Sequence, residues 1–235
     1  ESGLVTGLVD AGALHPVGPS TGRFTPSDVT IVTPVFGPTA NVAPGAIVVD
    51  DGSEPPVAEA TVRLDRNRGP GAARNAGLAH VITALVAFVD SDVRLPDGWL
   101  DALLPHFDDD RVALVAPRVC SAPGTSALHR YEMEHSPLDL GSRPGRVRAG
   151  SRIGYVPAAA VVCRVDPIRE IGGFDETLRF GEDVDLVWRI DESGRRVRYE
   201  PASGVFHRPR PTWRAWFDQR VGYGSSAAPL SRRHP

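Results

Sequence analysis

The run Leu85-Val86-Ala87-Phe88-Val89 stops abruptly at Asp90-Ser91-Asp92, and this switch from apolar to acidic restricts the fold more than any other stretch. Consecutive apolar residues of this kind read as a buried strand that carries charge to a sheet edge. On an extended chain the side chains at i and i+2 leave the same face, so Asp90 and Asp92 can address one target from a dry strand end. Two hard carboxylate oxygens there suit Mg²⁺ or Mn²⁺, with a substrate phosphate supplying further ligands. A strand running into an acidic turn is the plainer alternative, and the tripeptide alone does not choose between them.

Further strands are expected at Val29–Val35, at Ala46–Asp50 running into Asp51-Gly52-Ser53, at Val62–Leu64, at Val112–Ala116 and at Ala158–Val165. Between them lie helical patterns. Arg66 to Leu78 is a glycine-rich arginine loop entering a helix, whose free N–H groups and dipole favour anions, although a solvated loop has the same composition. Pro96-Asp97 starts a helix from Gly98 through Phe107, with Trp99, Leu100, Leu103 and Leu104 at helical spacing. From Val119 to about Arg152 no period is clear apart from a helical candidate at Ala127–His135, and a loop of that length suits a lid or an acceptor contact. Glu182, Asp183 and Asp185 open an amphipathic helix, where carboxylates can offset the dipole or do chemistry. Val197–Glu200 reads as a short edge strand and Thr212–Tyr223 as an amphipathic aromatic helix. The alternation of strand and helix indicates an α/β sheet that is mostly parallel.

A chain of 235 residues with 41% hydrophobic composition can bury one sizeable core. The expected organisation is a short N-terminal helix over 1–15, a Pro/Gly-punctuated linker over 16–27, a main domain over 28–210 and a C-terminal helix with a basic tail over 211–235. The N-terminal helix is either the remnant of a small preceding domain or packs on the main one. A net charge of -3 gives no global case for nucleic acid, and no apolar run is long enough to span a bilayer. Two cysteines and no opening signal peptide fit a reducing, cytoplasmic setting. All 26 basic residues are arginine, which removes Walker A loops and Schiff-base chemistry while keeping bidentate phosphate recognition. From Gly194 onward the arginines concentrate, as a solvated face or as a surface for phosphates or the inner face of a membrane.

Four motifs then occur in a telling order: Val48-Val49-Asp50-Asp51-Gly52-Ser53; Asn67-Arg68-Gly69 with Ala73-Arg74-Asn75-Ala76-Gly77; Phe88-Val89-Asp90-Ser91-Asp92; and Gly173-Phe174-Asp175 with Gly181-Glu182-Asp183-Val184-Asp185-Leu186. Together they resemble the family 2 glycosyltransferases of GT-A fold, over roughly Asp28 to Tyr223. That resemblance implies a Rossmann-like α/β domain with a mostly parallel central sheet flanked by helices. It also implies an inverting, Mn²⁺- or Mg²⁺-dependent transfer from a UDP-sugar. Finer features are Leu8-Val9-Asp10-Ala11-Gly12 with His15-Pro16, the Arg66–Pro70 loop, and Tyr223–Leu230 ending in Arg232-Arg233-His234-Pro235. These resemble a branch that moves glucose from UDP-glucose to a peptide-derived redox cofactor, in a longer chain whose later part associates with membrane.

The same resemblance assigns roles. Thr33, Pro34, Val35, Asp50, Asp51, Asn67, Gly69, Arg74, Asp90 and Ser91 would bind the donor, and Asp92 and His207 the metal. Asp183, beside Glu182, would be the catalytic base, and Gly181 and Trp188 would meet the acceptor. Two departures stand out. Pro34 to Ala46 and Ser53 to Leu64 are too short for the usual connections, and Gln219-Arg220-Val221-Gly222-Tyr223 lacks the end of the Q-x-x-R-W pattern of processive relatives. Transfer of rhamnose, mannose or N-acetylglucosamine to a lipid or polysaccharide, and a non-catalytic sugar-nucleotide-binding domain, are the alternative readings. A nicotinamide enzyme is disfavoured because no G-x-G-x-x-G follows the first strand.

Overall fold

The computed structural model describes residues 2–16, 22–38 and 42–234. Its centre is a nine-stranded sheet built from β1 (Val29–Val35), β2 (Ile47–Asp50), β3 (Val62–Arg63), β4 (Leu85–Val89), β5 (Val93–Arg94), β6 (Val112–Ser121), β7 (Gly145–Val147), β8 (Ala160–Arg164) and β9 (Arg196–His207). The order is β3-β2-β1-β4-β8-β6-β9-β5, with β7 pairing with β9. β1 to β4 are mutually parallel, β6 and β9 share their direction, and β5, β7 and β8 oppose it. The sheet is thus mixed, with the parallel direction dominant.

β4 lies near the middle, and its pleat explains its unbroken apolar sequence. Val86 and Phe88 enter one core cluster with Val32, Val49 and Phe174, whereas Leu85, Ala87 and Val89 enter another with Leu103, Phe107 and Val162. Both faces are therefore dry. The helices are α1 (Ser2–Asp10), α2 (Pro70–Leu78), α3 (Ala127–His135), α4 (Val165–Glu170), α5 (Glu182–Glu192), α6 (Trp213–Ser225) and α7 (Ala227–Arg233). α2 lies close on the sheet because Gly77 has no side chain: a Cβ there would stand 2.3 Å from Val32 Cγ1. Among the described residues no helix is long and apolar enough to cross a membrane.

Three expectations change. Residues 98–103 form turns rather than a helix, followed by a 3₁₀ segment at Leu104–Asp108. Pro105 lacks an N–H and Gly98 takes a positive φ of 70°, so the helical ladder cannot run through. The periodic side chains are buried all the same, Leu103 and Phe107 completely. The supposed edge strand at 197–200 is the first part of β9, which pairs with β6 on one side and with β5 and β7 on the other. β6 likewise runs beyond Ala116 to Ser121. No helix joins β1 to β2 or β2 to β3 among the described residues, so these connections are abbreviated; 39–41, and residues 17–21 of the expected linker, lie outside the described set.

Candidate active site

The carboxyl end of β4, the loop before α2, the amino end of α5, the end of β9 and one face of α6 surround a cavity of about 960 Å³. Ligands of open α/β sheets gather at this end of the strands. Asp90, Ser91 and Asp92 follow β4 directly into it, and Asp90 is anchored by its own N–H, which donates to Ala159 O at 2.9 Å.

Arg74 ties the two acidic motifs together. It projects from α2, is 2% exposed, and donates through Nη2 to Asp90 Oδ1 at 2.7 Å and through Nη1 to Glu182 Oε1 at 2.9 Å. Its guanidinium also lies over the Phe174 ring, 5.2 Å from the centroid. A single cation thus bridges carboxylates far apart in sequence, which fixes the strand end against the start of α5.

The carboxylates do not share one environment. Burial pushes the Glu182 carboxyl up to about 7, against the pull of Arg74 and with help from the Asp183 charge. Burial also raises Asp183, although its oxygens accept from Val184 N at 2.8 Å and Ala158 N at 3.4 Å. Asp90 is raised as well, by burial first and the Asp92 charge second, with Arg74 opposing. Asp92 goes the other way: burial acts against its ionisation, but His207 and Arg210 outweigh it and hold the carboxyl below its ordinary range. His207 Nε2 stands 3.3 Å and Arg210 Nη1 3.8 Å from Asp92 Oδ2, while Asp92 Oδ1 is buried with no hydrogen-bond partner among the described residues.

Of the residues assigned from the sequence, Pro34, Val35, Asp51, Asn67, Gly69, Arg74, Asp90, Ser91, Asp92, Gly181, Glu182, Asp183 and His207 line this cavity. Three do not. Thr33 is 1% exposed within β1, away from the lining. Asp50 is fully buried; its carboxylate accepts from Ser53 N at 2.8 Å and Val57 N at 3.1 Å and pairs with Arg63, so it staples the turn after β2. Trp188 sits one and a half turns into α5 and is held elsewhere, donating from Nε1 to Gly154 O at 2.9 Å and meeting His234 edge-on. Asp51 has a second task besides lining, because its two oxygens accept from Arg68 N at 2.7 Å and Gly69 N at 2.9 Å and so shape the turn that opens α2.

Sequence reasoning did not find the far wall. Tyr155, Arg179, Phe180, Gln219, Arg220 and Tyr223 also face the cavity. α6 is fastened there through buried Glu132 of α3, which accepts from Trp216 Nε1 at 2.6 Å and Arg220 Nη2 at 2.7 Å. Gly222 permits the close fit, since a Cβ would lie 2.4 Å from Phe180 Cζ. The available signal was the departure Gly222-Tyr223 in the last motif: glycine makes room for Phe180, and Tyr223 meets that ring edge-on at 6.2 Å.

A two-sided acidic site at the carboxyl end of a mixed sheet defines a GT-A-type domain, and residues 46–172 match the model of Glycosyl transferase family 2. The chain belongs to that family. It is 47% identical to the pre-mycofactocin glycosyltransferase of Mycobacterium tuberculosis, over 97% of this chain and 52% of that protein. The branch suggested by its two ends and the Arg66–Pro70 loop, the mycofactocin one, is the one this similarity supports. The alignment spans 251 positions against 235 residues here, so that relative carries insertions that this chain lacks. A more distant relative, succinoglycan biosynthesis protein ExoU of Rhizobium meliloti, is 32% identical over 65% of this chain and 50% of its own length. The chain thus spans about half the length of these curated relatives. Among solved structures, a mannosyltransferase from Pyrobaculum calidifontis with GDP-Man and Mn²⁺ superposes with a TM-score of 0.60 at 16% identity, over 96% of this chain and 71% of that one. GalNAc-T7 with UDP, GalNAc and Mn²⁺ gives 0.56 at 14%, over 77% and 43%. At such identities these two establish the fold alone.

Proposed function

We propose that this chain carries the catalytic domain of an inverting glycosyltransferase that moves glucose from UDP-glucose to a hydroxyl of the peptide-derived redox cofactor mycofactocin, or of its precursor. The observation that carries the reading of the reaction is that Asp92 and Asp183, far apart in sequence, line one cavity. The acceptor rests on the 47% identity to the pre-mycofactocin enzyme.

The chain's own residues divide the work. Pro34, Val35, Asp51 and Asn67 offer a floor for the nucleoside, and Arg74 keeps Asp90 and α5 in register. An ionised Asp92 with His207 beside it is a carboxylate–imidazole pair suited to Mn²⁺ or Mg²⁺, and the unpartnered buried Oδ1 of Asp92 is the orphan that such an ion would satisfy. The metal, when bound, supplies positive charge to the diphosphate leaving group. The acceptor oxygen bonds to the anomeric carbon opposite the departing UDP, and the bond from that carbon to the phosphate oxygen breaks with its electron pair going to UDP. Asp183 takes the hydroxyl proton. A carboxyl raised by burial is a stronger base than an ordinary aspartate, which suits this task.

The test is mass spectrometry of the mycofactocin precursor and other hydroxyl acceptors incubated with UDP-glucose and Mn²⁺ or Mg²⁺. A gain of one hexose on the precursor is expected. No gain there, with transfer to a glycan acceptor instead, refutes the acceptor assignment. Asp183→Asn is expected to lower turnover about 10²- to 10⁴-fold while leaving UDP binding intact, and near-normal turnover would remove the base from Asp183.

A further inference from the structure

A second constellation lies outside the cavity. His15, from the segment after α1, His106, from the 3₁₀ segment, and Glu200, from β9, converge although they are far apart in sequence. Their ligand atoms all lie within 4.8 Å of one another. Both imidazoles turn the same atom, Nε2, toward the same oxygen, Glu200 Oε2, at 2.9 Å for His15 and 3.0 Å for His106.

Three features make this a built arrangement. Glu200 stands where β9 departs from its ladder with β6, next to a register shift between Pro117 and Arg118. Its other oxygen, Oε1, accepts from Ala202 N at 3.0 Å, so Oε2 is presented as a single donor. Such an outer partner is what orients a monodentate carboxylate ligand. The side chains are also largely withdrawn from solvent, with 14%, 3% and 13% exposure for His15, His106 and Glu200.

We propose that His15, His106 and Glu200 form a zinc site that fastens the segment following α1 to the sheet, separate from the metal expected at Asp92. Two imidazoles and a carboxylate suit Zn²⁺, with a water in the fourth position. Ligands about 2.0–2.1 Å from a tetrahedral ion stand about 3.3 Å apart, so the two histidine–glutamate separations need to open by only a few tenths of an ångström, and the two Nε2 atoms already lie within 4.8 Å of each other. The ion takes the place of the two imidazole protons now directed at Oε2. The pairing without metal is a hydrogen-bonded carboxylate between two histidines, and a cobalt titration separates the two.

The chain, stripped with EDTA and then titrated with Co²⁺ alone, is expected to show the intense visible absorption of four-coordinate cobalt at one equivalent. Asp92→Asn should keep that absorption. His106→Gln and Glu200→Gln should weaken cobalt binding at least about tenfold. His15→Gln, in the segment outside the core, serves as the variant least able to disturb folding and should also lose the signal. Added Zn²⁺ should displace cobalt and raise the melting temperature of the wild type but not of His15→Gln. Absence of the absorption in the wild type, or its persistence in His15→Gln and Glu200→Gln, would overturn the site and leave a proton-only latch.

Discussion

Glu182 gives the sharpest handle on the site because its burial has a thermodynamic sign. Its carboxyl is raised from the ordinary 4.5 to about 7 in the folded chain, so the folded state holds a proton that the unfolded state has released between those values. Stability from this group is fully present below about pH 4.5 and is lost as pH rises through about 7. The shift corresponds to roughly 3 kcal/mol at most, of which about 2 kcal/mol falls between about pH 5.5 and about pH 7.5. For a chain of this size that is a fall of roughly 4–8 °C in melting temperature. Glu182→Gln has no proton to lose, so its melting temperature should change less over the same interval. The assay is thermal unfolding of both proteins at the two pH values, without metal or nucleotide. His234, also raised through Glu192 and Asp185 against its burial, has the same sign, but it is present in both proteins and cancels in the comparison. Equal pH dependence in the two proteins would refute the idea that Glu182 is forced toward neutrality beside Arg74.

Removing the bridging cation should uncover the same carboxylates. Arg74→Met is expected to cost about 3 kcal/mol in thermal or denaturant unfolding at neutral pH, and less in mild acid where Glu182 protonates and only Asp90 is stranded. At the far wall, Gly222→Ala would press on the Phe180 ring, which is 37% exposed and can swing aside. Its stability should therefore change by no more than about 1 kcal/mol while acceptor KM rises and donor KM does not, as steady-state kinetics with each substrate varied would reveal. Asp92→Asn should weaken Mn²⁺-dependent UDP binding, measured calorimetrically, without altering the Arg74 bridge or changing stability by more than about 1 kcal/mol.

What the sequence made legible is what local chemistry decides. The apolar run of β4 and its acidic end, the arginine loop before α2 and the acidic start of α5 stand out because burial and charge change sharply within a few residues. At residues 98–103 the difficulty is that periodicity reports burial before it reports conformation. Trp99, Leu100, Leu103 and Leu104 are spaced for a helix and are buried, yet Pro105 and Gly98 make them turns. β9 was harder still, since Pro201 and Gly204 interrupt it and Arg196 and Arg198, both buried, read as surface. Asp50 and Asp51 adjoin in sequence but diverge in use, because successive strand side chains face opposite ways: Asp50 staples a turn, and Asp51 reaches the cavity.

β9 also explains why the site could not be read from motifs alone. Motifs place Asp90, Asp92 and Asp183 on their own elements, but the wall facing them depends on where a long strand ends and on the helix that succeeds it. β9 delivers His207 beside Asp92, its backbone continues as Arg208 N donating to Asp92 O at 2.8 Å, and the next helix, α6, closes the cavity. Register along β9 therefore couples the Asp92–His207 pair to α6 across the cavity. The bulge around Pro201 lies between Glu200 and His207 on that strand, so one irregularity separates the histidine–glutamate cluster from the strand end that reaches the site. The wall that faces the acidic motifs thus rests on a strand whose polar and interrupted sequence hid it.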